Sequence, residues 1–292
     1  MEPTLLTLLA SLPESAAETA ELTTAQALVA AAVLSLVAAA MVPLYRKASR
    51  ALLGPTPSGE AAYGPVDLLP VFLAFVLGQG IVVEVYRRAA GLEEIDFDAL
   101  EVLPALGLSA AGQGLTAAVI LLLALRRSGG PATLGVRRLT PGSRGPFAAS
   151  CYLLSFPALM AMGALTAGLY SAAGADPPVQ DTAVLVEGGL DEHPVWIWLL
   201  VAGVIPLLEE IIFRGFLLEL LVSRLGVVAG VVLSSALFAF LHGWAVFLPI
   251  FGLAVVLAGV KLRTRSLGAA WFIHAVHNGL TTLLLTQGGF PT

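Results

Sequence analysis

Long apolar runs separated by short polar segments dominate this chain. A membrane-spanning helix needs roughly 20 consecutive, mostly apolar residues. Runs of this kind predict spans at 25–45, 66–86, 102–125, 147–173, 195–213, 226–243, 246–260 and 268–286. The helical pattern of the fifth run continues to about residue 223. The predicted fold is therefore all-α: a polytopic transmembrane helical bundle of about eight spans.

The region 226–260 is the one place where this pattern does not divide cleanly. Two full spans would need about 40 residues, and the region is interrupted at Gly243 and Pro249. We therefore predict a break at these two residues. One of the two helices is then short, tilted or re-entrant.

Basic residues show how the spans are oriented. With the N-terminus outside, the loops at 46–65, 126–146, 223–226 and 261–267 face inward and carry 12 of the 15 Lys and Arg residues. The loops on the other side are rich in Asp and Glu. This distribution follows the positive-inside rule and predicts an integral, multi-pass membrane protein whose N-terminus is outside.

Composition narrows the possible functions. The chain is 58% hydrophobic and only 12% charged, whereas soluble domains carry about 25% charged residues. It has no basic patch with interleaved aromatic residues, so nucleic acid is not a predicted partner. Cys151 is the only cysteine, which excludes an intrachain disulfide and a cysteine-rich zinc site.

Two adjacent acids interrupt the fifth apolar run. Glu209 and Glu210 are followed by Arg214, and an ionisable residue at membrane depth marks a functional site by default. Glu210 and Arg214 are four residues apart and can pair on one helix face. Glu209 points about 100° away and remains available for chemistry. Pro206, just upstream, is expected to loosen the backbone hydrogen bonding of this helix.

Two further polar groups lie in the apolar helices that follow. His242 comes one turn after Phe238, which either walls a pocket or merely packs. His274 and Asn278 are four residues apart and share a face, although His277 could instead be the facing partner. Taken alone, each group has a plain structural explanation, since His and Asn often form hydrogen bonds between membrane helices.

Together these residues form a workable set for hydrolysis. A carboxylate in an apolar site can act as a general base toward water, and Asn or His N–H groups can stabilise an oxyanion. Glu209, His242 and His274 could instead bind a divalent metal, with zinc the natural candidate, that activates water. The sequence does not separate these two mechanisms.

The ordered motifs resemble the CPBP family of intramembrane proteases, the CAAX protease and bacteriocin-processing family, also called Abi or type II CAAX prenyl endopeptidases. The family pattern is Glu-Glu-x-x-x-Arg, then Phe-x-x-x-His, then His-x-x-x-Asn on successive membrane helices. This chain has Glu209 to Arg214, Phe238 to His242 and His274 to Asn278. The resemblance covers residues 195–286 and divides the chain into an N-terminal membrane region, 1–194, with about four spans, and a protease core, 195–292.

The resemblance implies a role for each motif residue. Glu209 would activate water with the help of His242, and His274 and Asn278 would stabilise the oxyanion. Glu210 and Arg214 would be orienting partners, and Phe238 would support the site. The family was long described as metalloproteases, and its better-studied member resembles a glutamate-dependent protease instead, so a metal stays open.

The resemblance also implies the substrate and the location. The expected substrate is a peptide or membrane protein, prenylated in part of the family, that reaches a cavity from the cytoplasmic side of the lipid bilayer. The expected membrane is the bacterial inner membrane, with the endoplasmic reticulum as the alternative.

The depth of the two histidines conflicts with this picture. At about 1.5 Å per residue, the predicted boundaries place His274 about 9 Å and His242 about 24 Å from the inner edge. A short or re-entrant sixth helix would bring them to one level.

Two other function classes compete with a protease. A proton-coupled transporter would use Glu209 as its titrating group, but the first four spans offer it little besides Gln79 and Glu84. A non-catalytic scaffold or immunity protein would use the motif residues for packing alone. Full function in a Glu209→Gln variant would favour that last interpretation.

Overall fold

The computed structural model describes residues 63–97, 100–127, 129–135, 144–175, 186, 188–190 and 192–286. Within these ranges the chain is helical and contains no strand, as the apolar pattern predicts. The predicted span at 25–45 lies outside the described residues.

Seven helices carry the described fold, and we number them in chain order. They are α1 Pro65–Ala89, α2 Val102–Leu125, α3 Arg144–Ala172, α4 Pro194–Leu225, α5 Val227–Leu241, α6 Phe247–Thr264 and α7 Leu267–Thr286. Short 3-10 turns lie at Gly130–Leu134 and Trp244–Val246.

The predicted count of eight spans is not confirmed. By length and composition, five stretches of the described chain could cross a membrane: α1, α2, α3, α4 and the segment Trp244–Thr264 that contains α6. Helix α5 is apolar but has only 15 residues. Helix α7 is long enough, but its two histidines and its asparagine lower its hydropathy.

The break in the region 226–260 differs from the prediction at one residue. The chain leaves α5 at His242 and passes through Gly243, whose φ of 98° lies in the left-handed region that favours glycine. Pro249 does not break a helix. It lies in the first turn of α6, where a proline costs little because the N–H it lacks would have no partner there.

Helix α4 is continuous but irregular. Two π-helical stretches, Leu199–Val204 and Ile211–Leu217, flank the α-helical Ile205–Glu210. In the first of them, the Ile205 N–H donates to the Leu200 carbonyl, and Pro206 has no N–H to donate. The Val201 carbonyl is therefore left without a donor from the next turn, which is the loosening expected of Pro206.

A tight hairpin joins α4 to α5 and brings Glu209 and His242 to one level. Gly226 turns the chain with a φ of 83°, and at Gly230 an added Cβ would lie 2.7 Å from the Val222 backbone nitrogen. Glu209 and His242 are almost equally far along the chain from this turn, about 25 Å at 1.5 Å per residue. They therefore reach the same level. The 15 residues of α5 agree with the predicted short sixth helix.

One hydrophobic cluster connects the N-terminal helices to the later ones. It includes Ile120 of α2, Phe216 of α4 and Phe238 of α5. Leu134 of the first 3-10 turn is fully buried in the same cluster, and an added Cβ on Gly215 would meet it at 3.2 Å. This part of the predicted loop at 126–146 thus packs against α4.

Candidate active site

Three helices bring the motif residues together. Helix α4 supplies Glu209 and Glu210 near its middle, α5 ends at His242, and α7 presents His274 two turns after its start. The convergence predicted from the three motifs is therefore present for these four residues.

Glu209 lies between two imidazoles. Its Oε1 is 3.9 Å from His242 Nε2, and its Oε2 is 3.6 Å from His274 Nε2. Both separations exceed a direct hydrogen bond. They suit an arrangement in which a small molecule such as water bridges the groups.

Glu210 anchors the buried side of the site. Its Oε1 accepts a hydrogen bond from Arg214 Nη1 at 2.9 Å and is 2.9 Å from His274 Nδ1. Its Oε2 is buried and has no hydrogen-bond partner among the described residues. The pairing of Glu210 with Arg214 was predicted from their spacing, whereas the contact with His274 was not.

The hydrogen bonds determine which nitrogen of each imidazole carries a proton. His242 Nδ1 is 2.7 Å from the Phe238 carbonyl oxygen, which can only accept, so Nδ1–H donates. His274 Nδ1–H likewise donates to the Glu210 carboxylate. In both neutral rings the lone pair is then on Nε2, the nitrogen that faces Glu209.

Phe238 separates the buried cation from the two imidazoles. The Arg214 guanidinium lies over its ring, 4.3 Å from the centroid. The His242 ring is 4.4 Å away and the His274 ring meets it edge-on at 5.8 Å. The ring faces these groups directly, so the wall role considered in the sequence analysis fits its position.

Asn278 is held by the irregular part of α4. Its Nδ2 donates to the Val201 carbonyl at 3.1 Å, the same carbonyl that the π-helical stretch and Pro206 leave without a backbone donor. No hydrogen bond connects the Asn278 side chain to Glu209 or either histidine in the described part of the chain. One of its two amide hydrogens is therefore used between helices.

His277 faces a different helix. Its Nδ1 is 3.0 Å from the Tyr152 hydroxyl of α3, so the alternative that His277 faces the acids is wrong for this arrangement. Three residues of helix rotate a side chain by about 300°, and here His274 is the one directed at α4.

Exposure identifies the open side of the cluster. The side chains of Glu210, Arg214 and His274 are at most 3% exposed, whereas Glu209 is 13% and His242 is 20% exposed. A reactant therefore reaches the cluster past Glu209 and His242.

Charge balance constrains the protons in the cluster. Arg214 and Glu210 neutralise each other, and Glu209 adds one further acid. Buried charge is costly unless it is compensated. The cluster is balanced when one additional proton resides on Glu209 or on one of the two imidazoles that face it.

Glu209, His242 and His274 are also the candidate metal ligands. The described ranges contain no group of three or more His, Cys, Asp or Glu side chains placed to hold a metal ion.

Sequence reasoning missed two interhelical contacts near the site. Trp271 donates from Nε1 to the Gly203 carbonyl at 2.9 Å, and buried Lys261 pairs with Glu219. Lys261 directly follows an apolar run, which could have indicated a buried position, but the sequence analysis predicts it in a loop. It lies inside α6.

Comparison with known proteins adds one match. The model of a family described as type II CAAX prenyl endopeptidase Rce1-like matches residues 191–280, which include all three motifs. Neither the curated proteins nor the solved structures contain a significant match to the chain.

Proposed function

We propose that this membrane protein is an intramembrane endopeptidase that uses Glu209 to activate water, and the match of residues 191–280 to the type II CAAX prenyl endopeptidase Rce1-like family model supports the proposal. The observation that carries the proposal is the position of Glu209. Its two carboxylate oxygens face Nε2 atoms of histidines from two other helices, at 3.9 Å and 3.6 Å. If Glu209 served only to pack the helices together, an acid placed between two imidazole lone pairs would not be needed.

The first step is attack by water. A water molecule held between Glu209 and His242 gives a proton to the carboxylate while its oxygen bonds to the scissile carbonyl carbon. His242 can hold this water because its Nδ1–H is already donated to the Phe238 carbonyl, which directs the Nε2 lone pair toward Glu209.

The second step is stabilisation of the oxyanion. His274 donates through Nε2–H when it carries the additional proton of the cluster, and Glu210 stabilises the resulting imidazolium from the Nδ1 side. Asn278 retains one amide hydrogen beyond its bond to Val201, and we assign this hydrogen to the same oxyanion.

The third step is release of the amine. Glu209 passes the proton taken from water to the nitrogen of the scissile bond, the carbon–nitrogen bond breaks, and a carboxylic acid and an amine leave the site. Arg214 holds the Glu210 carboxylate in place throughout by its direct hydrogen bond. These steps use only the side chains of the cluster and water.

For the substrate we propose a peptide whose cysteine carries a prenyl chain near its C-terminus. The family description supports this class, and exposed apolar side chains beside His242, such as Leu241 and Trp244, give an apolar approach to the site. For the location we propose the bacterial inner membrane. The distribution of basic residues supports an N-terminus outside.

Cleavage of matched peptides tests the proposal. Purified protein in liposomes is given a quenched fluorescent peptide with a farnesylated cysteine followed by three residues, and the same peptide without farnesyl. We expect wild type and the control Glu192→Gln, which removes an exposed acid before α4, to cleave the farnesylated peptide. Glu209→Gln should not cleave it, and a strong chelator should not slow wild type.

Other outcomes would contradict separate parts of the proposal. Equal cleavage by Glu209→Gln would exclude Glu209 as the base. Chelator-sensitive cleavage that zinc restores would replace the general base with a metal centre. Equal rates on both peptides would reject the prenylated substrate, and cleavage of neither peptide by wild type would favour a scaffold.

A further inference from the structure

A second ionisable pair is buried outside the candidate site. Lys261 of α6 is 1% exposed, and its Nζ lies 2.6 Å from Glu219 Oε1 near the end of α4. Arg265 Nη1 is 3.8 Å from the other oxygen of Glu219. None of these groups contacts Glu209 or either site histidine, so the hydrolytic steps do not use them.

The pair lies where α6 turns into α7. Only Arg265 and Ser266 separate the two helices, and Arg265 has a φ of 53°. Ser266 N–H donates to Thr264 Oγ1, and Ala269 N–H donates to Ser266 Oγ. A turn with so few residues and so many internal hydrogen bonds transmits the position of Lys261 to the start of α7.

The first 3-10 turn closes on the same place. Gly135 has a φ of 83°, and a Cβ on it would lie 3.0 Å from the Arg265 carbonyl oxygen and 3.1 Å from the Leu267 nitrogen. Its neighbour Leu134 packs against Gly215 of α4. The turn between α6 and α7 is therefore held against α4 by backbone packing as well as by charge.

The start of α7 determines where His274 lies. His274 follows Leu267 by seven residues, about 10 Å along the helix, and each residue of slip rotates a side chain by about 100°. A slip of one residue would turn His274 away from both acids. An apolar helix in an apolar bundle has few features that prevent such a slip, and specifying register is the best-attested role of a buried ionic group.

We propose that the Lys261–Glu219 pair is a positioning device that fixes the register of α7 on α4 and so places His274 beside Glu209 and Glu210. The effect of the pair on the reaction rests on the proposed function, whereas its effect on the register of α7 does not. Lys261 and Glu219 are positioning residues, since they act through His274.

A disulfide measures this register without any activity assay. A Cβ on Gly279 of α7 would lie 3.7 Å from the Ala202 Cβ of α4, within the usual Cβ–Cβ range of a disulfide, about 3.5–4.5 Å. The reporter protein carries Ala202→Cys and Gly279→Cys, with Cys151→Ala removing the native thiol. A second reporter replaces Gly279→Cys with Leu280→Cys, one residue further along α7.

The reporter is then combined with changes at the pair. We expect Lys261→Met to slow disulfide formation between positions 202 and 279 at least several-fold, and the charge exchange Lys261→Glu with Glu219→Lys to restore it. Arg126→Met, which removes an exposed cation from the end of α2, should leave the rate unchanged. Faster reaction at 280 in the Lys261→Met protein would identify the slip directly.

Kinetics on an otherwise wild-type chain give the second measurement. Lys261→Met should lower kcat on the order of 10²-fold, the effect of a misplacement of about 1 Å, with KM little changed. An unchanged 202–279 disulfide rate in Lys261→Met would overturn the positioning role. If wild type cleaves no peptide, the proposed function fails, while the disulfide rates still decide the register.

Discussion

At the scale of single residues, the site depends on a division of work between adjacent acids. Glu210 is fully buried and shares one oxygen between Arg214 and His274, whereas Glu209 is partly exposed and faces two imidazole nitrogens. The spacing of the three motifs predicted both the ion pair and the convergence. It could not predict hydrogen-bond partners on other helices, such as Val201 for Asn278, because these depend on how the helices pack.

The first prediction concerns the buried pair. Glu210→Gln keeps the shape of the side chain but leaves the buried Arg214 guanidinium without its hydrogen-bonded carboxylate partner, and breaking a buried pair typically costs about 3–5 kcal/mol. We expect the free energy of unfolding in mild detergent to fall by an amount in that range. Glu209→Gln is the matched control and should retain near-wild-type stability, and equal unfolding of both variants would contradict the prediction.

The second prediction separates two histidines of one helix. His274→Ala removes the imidazole between the two acids and should lower kcat/KM by at least about 10²-fold. His277→Ala removes a ring that contacts Tyr152 of α3 and should stay within about tenfold of wild type. The measurement is peptide cleavage by both variants at matched amounts of folded protein. A larger loss in His277→Ala would mean that α7 is rotated from the described position.

At the scale of elements, two irregular features position the site. The π-helical stretch before Pro206 frees the Val201 carbonyl that holds Asn278, and the tight turn at Gly226 brings His242 to the level of Glu209. The sequence indicated both through Pro206 and through the short apolar region after Gly226. The predicted break at Pro249 was wrong, because a proline in the first turn of a helix and a proline that breaks a helix have the same local sequence pattern.

The third prediction tests the close contact between α4 and α5. In Gly230→Ala the new methyl group would lie 2.7 Å from the backbone of Val222, so the two helices must separate and His242 must shift from Glu209. We expect lower kcat and a lower unfolding temperature. Gly163→Ala in α3 meets nothing within 4 Å and should match wild type in both measurements. If Gly230→Ala also matched wild type, the hairpin would be loose and the prediction would be contradicted.

At the scale of the whole molecule, the fold class followed from hydropathy alone, but the number of spans did not. Helix α7 carries the polar residues of the site, so a hydropathy criterion does not select it, and α5 is too short to be selected by length. The charge pattern predicts an orientation because the loops assigned to the inside are basic. The sequence of a single segment does not predict which helices contact one another, and the buried Lys261 is an example.

The fourth prediction concerns orientation. In a Cys151→Ala chain, Glu192→Cys before α4 should react with a membrane-impermeant maleimide in intact cells. Arg126→Cys at the end of α2 should react only after the membrane is opened, because the positive-inside rule places that end in the cytoplasm. Labelling in the reverse order would invert the proposed topology.

The most direct test of the hydrolytic mechanism is the rate of peptide cleavage by Glu209→Gln beside Glu192→Gln, both in liposomes. Loss of a general base typically costs 10²–10⁴-fold in rate, so we expect kcat of Glu209→Gln to fall by about that factor with KM and the unfolding temperature unchanged. Glu192→Gln should match wild type. A kcat for Glu209→Gln within about twofold of wild type would show that Glu209 does not activate the water.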